Sequence, residues 1–242
     1  MNTSGQFNTV IPLDWDSAFF GYPVARVVLD ETGSEHFKAI TDNIIKERIR
    51  LVYFFLSPSD LDLNRQISEF GAVLRDQKAL FSKVPERQSD YRNLIEEYPY
   101  AEPNKELLSL GLQAGIYSRF RLDGNFRNNE YEKLYTRWVA DSLSGKISFQ
   151  TIVAIVDNTV AGMVTLGEKN GHADIGLVAV EKTHSGKGIG YDMIRYADNT
   201  AFNRNFTRID VVTQLQNHPA CNLYEKCNFK LESVTNVYHF WQ

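Results

Sequence analysis

Three glycines at alternate positions, Gly186, Gly188 and Gly190, follow the polar stretch Glu181–Ser185 and run straight into a helical pattern of Met193, Ile194, Ala197, Ala201 and Phe202. Before them, Ile175–Val180 is an apolar run rich in β-branched residues, which predicts a mostly buried strand. Strand, glycine-rich loop and helix together make an anion site. Glycine lets the backbone come close to a ligand and accepts φ > 0. The free N–H groups at the helix start then point at the anion, and the helix dipole favours negative charge there. Two familiar phosphate loops do not fit. A Walker loop needs Gly-Lys-Ser/Thr, but Gly188 follows Gly186-Lys187. A dinucleotide fingerprint needs a third glycine where Tyr191 stands, directly after the strand, and five residues intervene here. A plain glycine-rich turn is the structural alternative.

Other residues able to do chemistry lie elsewhere. They are the phenol of Tyr224, the carboxyls of Asp174 and Glu168, the pair Arg119 and Arg121, and the aromatic segment Trp15 to Tyr22. Cys221 and Cys227 lie six apart, form no C-x-x-C pair and have no set of histidine partners, so reduced thiols of a cytoplasmic protein are expected and no metal site.

The elements that must position these groups follow from periodicity. Residues 8–30 predict a strand, a turn and a second strand at Val24–Leu29. A helix near 34–48, a strand at 51–56, a helix near 60–70 and one or two strands over 72–84 come next. Residues 85–103 are charged and carry Pro85, Pro99 and Pro103, which predicts a linker between an N-terminal α/β subdomain (1–95) and a second domain (104–242). Helices are expected at 104–114 and 128–143. The second has Tyr131, Leu134, Tyr135, Trp138, Val139 and Leu143 on one face. A hairpin at 151–166, a strand at 173–180, a helix at 188–205, a strand at 208–213, a helix at 219–226 and one or two strands over 229–241 complete the chain. The fold class is α/β (α+β), with a mixed central sheet flanked by helices.

The 43% hydrophobic content of the 242 residues suffices for a sizeable core. A net charge of −4 argues against a broad nucleic-acid surface. The N-terminus has no signal-peptide pattern, and the longest apolar runs, about six residues, are far short of a membrane span. The oligomeric state is left open, a homodimer included.

Read together, the motifs resemble those of the GNAT N-acetyltransferases. The family's pyrophosphate loop reads Arg/Gln-x-x-Gly-x-Gly/Ala. Ser185, Gly188 and Gly190 occupy its defined positions, with Ser185 a departure. Asn217-His218-Pro219-Ala220 precedes the last helix, where Pro219 suits the first turn and Asn217 or His218 the cap. Leu223-Tyr224-Glu225-Lys226-Cys227-Asn228-Phe229 is similar to the family's Leu-Tyr-Glu-Lys-x-Gly-Phe. Asn228 replaces glycine and is suited to the left-handed helix end. Within the family the chain looks like the dTDP-fucosamine acetyltransferase subgroup, through Trp15 with Ala18-Phe19-Phe20-Gly21, Ser118-Arg119-Phe120-Arg121, the Tyr135/Trp138 helix and the terminal Tyr238-His239-Phe240-Trp241.

The resemblance implies acetyl transfer from acetyl-CoA to the 4-amino group of a dTDP-linked 4-amino-4,6-dideoxyhexose, in surface-polysaccharide biosynthesis. It places backbone N–H groups of Val178, Ala179 and Val180 at the thioester carbonyl, and a wedge for pantetheine where this strand parts from the next. Ser185, Gly186, Lys187, Gly188, Ile189 and Gly190 take the CoA pyrophosphate, and Asn217 takes the pantetheine arm. Tyr224 is the general acid and Asp174 the base, although ordered water can replace a base. Arg119 and Arg121, on one side if the segment is extended, are candidates for the dTDP pyrophosphate, and Phe20 and Tyr22 for stacking on thymine or sugar. Each has a plainer reading: a Tyr packed on an amphipathic helix, a strand carboxylate turned outward, surface arginines paired with acids, and an aromatic core plug. Two other functions stay open: a GNAT acting on another small amine or a peptide N-terminus, and a non-catalytic acyl-CoA-binding protein.

Overall fold

The computed structural model describes residues 9–29 and 33–242; the expectation for the extreme N-terminus lies outside these. The described residues form two compact units, those up to 78 together with 234–242, and residues 79–233.

The first unit holds β1 (Thr9–Pro12), α1 (Asp14–Phe20), β2 (Val24–Val28), α2 (Gly33–Lys46), β3 (Leu51–Leu56) and α3 (Leu61–Glu69). It also takes the start of β4 (Val73–Lys83). The second unit runs from the end of β4 through β5 (Leu94–Glu97), α4 (Lys105–Ala114), α5 (Arg119–Leu122), α6 (Glu130–Leu143), β6 (Gln150–Val156), β7 (Thr159–Lys169) and β8 (His172–Val180). A single 3-10 turn (Lys182–His184), α7 (Ile189–Asn203), β9 (Ile209–Gln214) and α8 (His218–Lys226) follow, and β10 (Lys230–Trp241) begins here and ends in the first unit.

In the first unit β1 pairs antiparallel with β2, β2 parallel with β3, and β3 antiparallel with Asn236–Trp241 of β10. Five of the six β3 residues are buried, as an inner strand covered on both faces requires. Its core gathers Val27, Ile40, Ile44, Phe54, Ile67 and Tyr238. The turn expected between the first two strands contains helix α1. Ser17 donates through its N–H and its hydroxyl to the Leu13 carbonyl, Asp14 and Asp16 sit in the first turn, and Gly21 ends the helix at φ 79°.

In the second unit the sheet runs β4-β9-β8-β7-β6-β5. The pairs β5–β6, β6–β7 and β7–β8 are antiparallel, whereas β8–β9 is parallel and therefore needs the crossover helix α7. The apolar face of α7 (Met193, Ile194, Ala197, Ala201) packs on Ile152, Val164, Ile175 and Val211. This is the mixed-sheet α+β architecture that the element order implies.

The domain boundary differs from the expected one. Residues 85–103 are not a linker: they include β5, which pairs with β6, and their first half is tied to α7. Asp192 Oδ2 accepts the backbone N–H groups of Arg92 (2.9 Å) and Asn93 (3.0 Å) and the Asn93 amide (2.8 Å). Asp198 accepts Lys83 Nζ (2.8 Å), Gln88 Nε2 (2.9 Å) and Glu86 N (3.2 Å). The Lys83 and Asp198 side chains are 5% and 3% exposed, so removing Asp198 leaves the buried Lys83 ammonium only the exposed Glu86 carboxylate, 3.2 Å away, as an ion-pair partner. Asp198→Ala should cost about 3–5 kcal/mol and lower Tm by roughly 10 °C, read by calorimetry.

Candidate active site

The second unit's sheet opens at one place. Strands β8 and β9 are in register at Ala173–Ile209, Asp174–Asp210 and Ile175–Val211, and pair no further. Beyond that point β8 continues to Val180 and β9 to Gln214, so one edge of β8 is left without a strand partner. The other edge stays paired to β7, through Val178–Val164, Ala179–Met163 and Val180–Gly162. A bulge marks the start of the opening. Leu177 N–H donates to Thr165 Oγ1 (2.8 Å), and Gly176 leaves room for that hydroxyl, which a Cβ would meet at 2.7 Å.

The ladder fixes which N–H groups face the open edge. Glu181 N–H bonds the Ala161 carbonyl (2.8 Å), so the alternating pattern gives Ala179 N–H to Met163 and turns the N–H groups of Val178 and Val180 outward. Of the three donors expected on this strand, Ala179 is therefore spent within the sheet. The outward carbonyl of Val180 accepts the Gln113 side-chain amide from α4. Sequence gave no signal for Gln113, which is one polar position on an amphipathic helix.

The loop at the end of β8 has the geometry expected of an anion cradle. Gly186 and Gly188 have φ of 78° and 82°, the left-handed region. Among the described residues the N–H groups of 186 to 191 donate to no carbonyl, and the first helical bond runs from Asp192 N–H to Gly188. Ser185, Gly186, Lys187 and Gly188 are exposed, whereas Ile189 is buried and anchors the helix. At Gly190 a Cβ would stand 3.2 Å from Leu223 and 3.5 Å from Val180, so the missing side chain lets α8 and the end of β8 close on the first turn of α7.

Helix α8 is capped as the sequence implies. Asn217 Oδ1 accepts Ala220 N–H (3.3 Å), and its amide donates to Thr213 Oγ1 (3.3 Å), with a proline in the first turn. The Asn217 side chain expected on the pantetheine arm is thus engaged in the cap. Asn228 ends the helix at φ 65°. Tyr224 is 3% exposed and packs on Phe81 (5.8 Å) and Phe229 (6.1 Å). Val178, Val180 and Ile189 belong to the same cluster, and burial raises the Tyr224 phenol well above its ordinary value.

Asp174 is half-buried at the closed end of the opening. Its carboxyl is raised, first by burial and also by Asp210, with Lys169 opposing. Glu168, one residue along β7 from Asp174's partner Gly167, is exposed. The two arginines do not form the expected same-side pair. Their segment is the short helix α5 rather than extended, which turns residues two apart in different directions. Arg119 is buried, with its guanidinium 4.5 Å from the Phe120 ring centre. Arg121 is exposed, 3.9 Å from Glu132 and 5.5 Å from the Tyr131 ring, and it lines a cleft of about 620 Å³ with Lys105, Gln113 and Glu181. Phe20 and Tyr22 lie in the first unit, in a chain of rings. Phe20 stacks on Tyr22 (5.8 Å), Tyr22 meets Trp241 edge-on (5.8 Å), and Trp15 stacks on Phe19 (5.0 Å). No group of three or more metal-ligating side chains occurs among the described residues, and no helix there is long and apolar enough to cross a membrane.

Residues 116–229 match the acetyltransferase (GNAT) family. Over 82 residues the chain is 38% identical to a streptothricin acetyltransferase of Escherichia coli, a match covering 34% of this chain and 47% of that protein. The chain therefore spans about half the length of that relative. A dTDP-fucosamine acetyltransferase of Escherichia coli O6:H1 is 24% identical over 230 residues, 93% of this chain and 95% of its own. Among solved structures, a GCN5-related N-acetyltransferase from Sphaerobacter thermophilus shares the fold over 92% of this chain and 73% of its own, with a TM-score of 0.58 and 12% identity. Residues 116–229, the stretch that carries the open strand edge and the glycine loop, are thus similar to the GNAT acetyltransferases in sequence, and the chain shares their fold.

Proposed function

We propose that the protein transfers the acetyl group of acetyl-CoA to the 4-amino group of a dTDP-linked 4-amino-4,6-dideoxyhexose, by direct attack in a ternary complex in the cytoplasm. The observation that carries the transfer chemistry is the open edge of β8 running into a loop whose six successive N–H groups lack backbone partners. The loop suits a pyrophosphate. The outward N–H groups of Val178 and Val180 suit the thioester carbonyl, which they polarise as negative charge grows on its oxygen.

The amine attacks as a free base, and Asp174 accepts its proton. A carboxyl raised by burial is better matched to that task than a solvated one. Tyr224 supplies the proton that the departing thiolate needs. Its raised phenol stays protonated through the physiological range, which is the form a donor requires. The thiolate forms in the same water-poor wedge, where burial disfavours its own charge as well and so narrows the gap between thiol and phenol. Arg121, exposed in the cleft beside Gln113, is our candidate for binding the diphosphate. The stacked rings around Phe20 and Tyr22 offer the first unit a face for a base or sugar.

The acceptor assignment rests on the match to the dTDP-fucosamine enzyme along nearly the whole of both chains. The higher local identity to the streptothricin enzyme favours a second reading, N-acetylation of streptothricin or another small cationic amine. A thiol-release assay decides between them, with acetyl-CoA fixed and dTDP-4-amino and dTDP-3-amino 6-deoxyhexoses, streptothricin, spermidine and a peptide with a free N-terminus as acceptors. Turnover confined to a dTDP-4-amino sugar is expected. Turnover confined to another amine overturns the sugar-nucleotide reading and leaves the acetyl-transfer chemistry in place. Release with none of them, alongside tight acetyl-CoA binding, would make the protein an acyl-CoA-binding one.

A further inference from the structure

We propose that Asp210, clamped by Arg208 and His172, is a positioning residue that tunes Asp174 for proton abstraction; this rests on the acetyltransferase reading with Asp174 as base. Asp174 and Asp210 are direct partners in the parallel pair, one position before the strands part. Neighbouring strands lie about 4.8 Å apart, and paired residues present their side chains to the same face. Ala173, Ile175, Ile209 and Val211 fill the core against α7, so alternation turns His172, Asp174 and Asp210 to the opposite face.

The two carboxylates are treated in opposite ways. Both Asp210 oxygens are engaged: Oδ1 accepts Arg208 Nε at 2.6 Å, and Oδ2 lies 3.2 Å from His172 Nδ1. Among the described residues no side chain bonds Asp174, and the opposing cation, Lys169, acts on it only through space. One carboxyl is therefore held by two basic side chains, while the other is left desolvated beside it. Paired carboxyls held in such unlike surroundings can divide acid–base roles between them. A simple structural ion-pair network would have engaged both acids. The nearby Asp210 carboxylate adds to burial in disfavouring charge on Asp174, and Lys169 opposes both. Arg208 in turn limits how much of the Asp210 field reaches Asp174.

Removing the Asp210 charge should lower the pH at which Asp174 titrates, and removing the Arg208 charge should raise it. The test follows the side-chain carboxyl of Asp174 by NMR in the full chain labelled with ¹³C-aspartate, assigned by its loss in Asp174→Asn. The isosteric Asp210→Asn should move the Asp174 titration down by about half a unit to one unit. Arg208→Gln should move it up, and Arg208→Lys, which keeps the charge, should leave it in place. The acid limb of kcat/KM should move with each. An Asp174 titration at the same pH in wild type, Asp210→Asn and Arg208→Gln overturns the proposal. The base assignment fails separately: it falls if Asp174→Asn retains wild-type kcat/KM, whereas a loss of at least about tenfold sustains it.

Discussion

Replacing Tyr224 with Phe is expected to lower kcat about a hundredfold while leaving the Kd for acetyl-CoA within about twofold. The substitution removes one oxygen from a ring that is 3% exposed and held between Phe81 and Phe229. The packing that fixes α8 against the core does not use that oxygen, so the fold and the CoA loop are unaffected. What is lost is the proton for the thiolate. Without it, charge must leave as a bare thiolate in a site that excludes water, and a positioned acid is ordinarily worth a hundred- to ten-thousandfold. Steady-state turnover and calorimetric acetyl-CoA binding check both halves. A wild-type kcat would return Tyr224 to a packing role. A matching rise in Kd would mean that α8 had moved.

The parts of this site that were legible in the sequence are those whose chemistry is local. Glycine is demanded at 186 and 188 by φ values near 80°, and a proline and an asparagine start α8 through contacts within four residues. Asn228 at φ 65° likewise carries its own explanation. The opening between β8 and β9 followed from motif order, and the register places it directly after Ile175. Readings failed where the deciding partner is remote. Asp192 and Asp198 look like ordinary solvent-facing acids of a helix. They are instead 2% exposed and hold residues 86–93, which turned an apparent linker into part of the second unit. The terminal segment 234–242 belongs to the first unit because it pairs with β3 about 180 residues earlier, a contact no local pattern announces. Helices α1 and α5 were missed for a different reason. Each is short, and the aromatics of α1 and the Arg-Phe-Arg of α5 read equally well as extended chain.

Gly188→Val is expected to weaken acetyl-CoA binding about a hundredfold with little loss of stability. Gly188 is the residue before α7 and sits at φ 82°, ψ 1°. A β-branched residue disfavours that conformation by about 1–2 kcal/mol, so the loop will relax toward negative φ. Relaxation rotates the peptide planes on either side and takes their N–H groups away from a shared anion. Two such charge-assisted bonds are worth about 1.5–3 kcal/mol each, and even partial loss accounts for two orders of magnitude. The fold should survive, because a Cβ at this position meets nothing closer than the Asn93 amide, 3.9 Å away, and the loop is exposed. Gly190→Ala makes the informative contrast. Its backbone is already helical, but its Cβ would stand 3.2 Å from Leu223, so any defect there comes from packing α8 against α7 and should appear in the melting temperature as well. Titration calorimetry with acetyl-CoA beside a thermal melt separates the two. Unchanged affinity in Gly188→Val would show that the N–H groups of this loop do not hold the pyrophosphate. A large fall in Tm would show that the left-handed turn is needed by the fold itself.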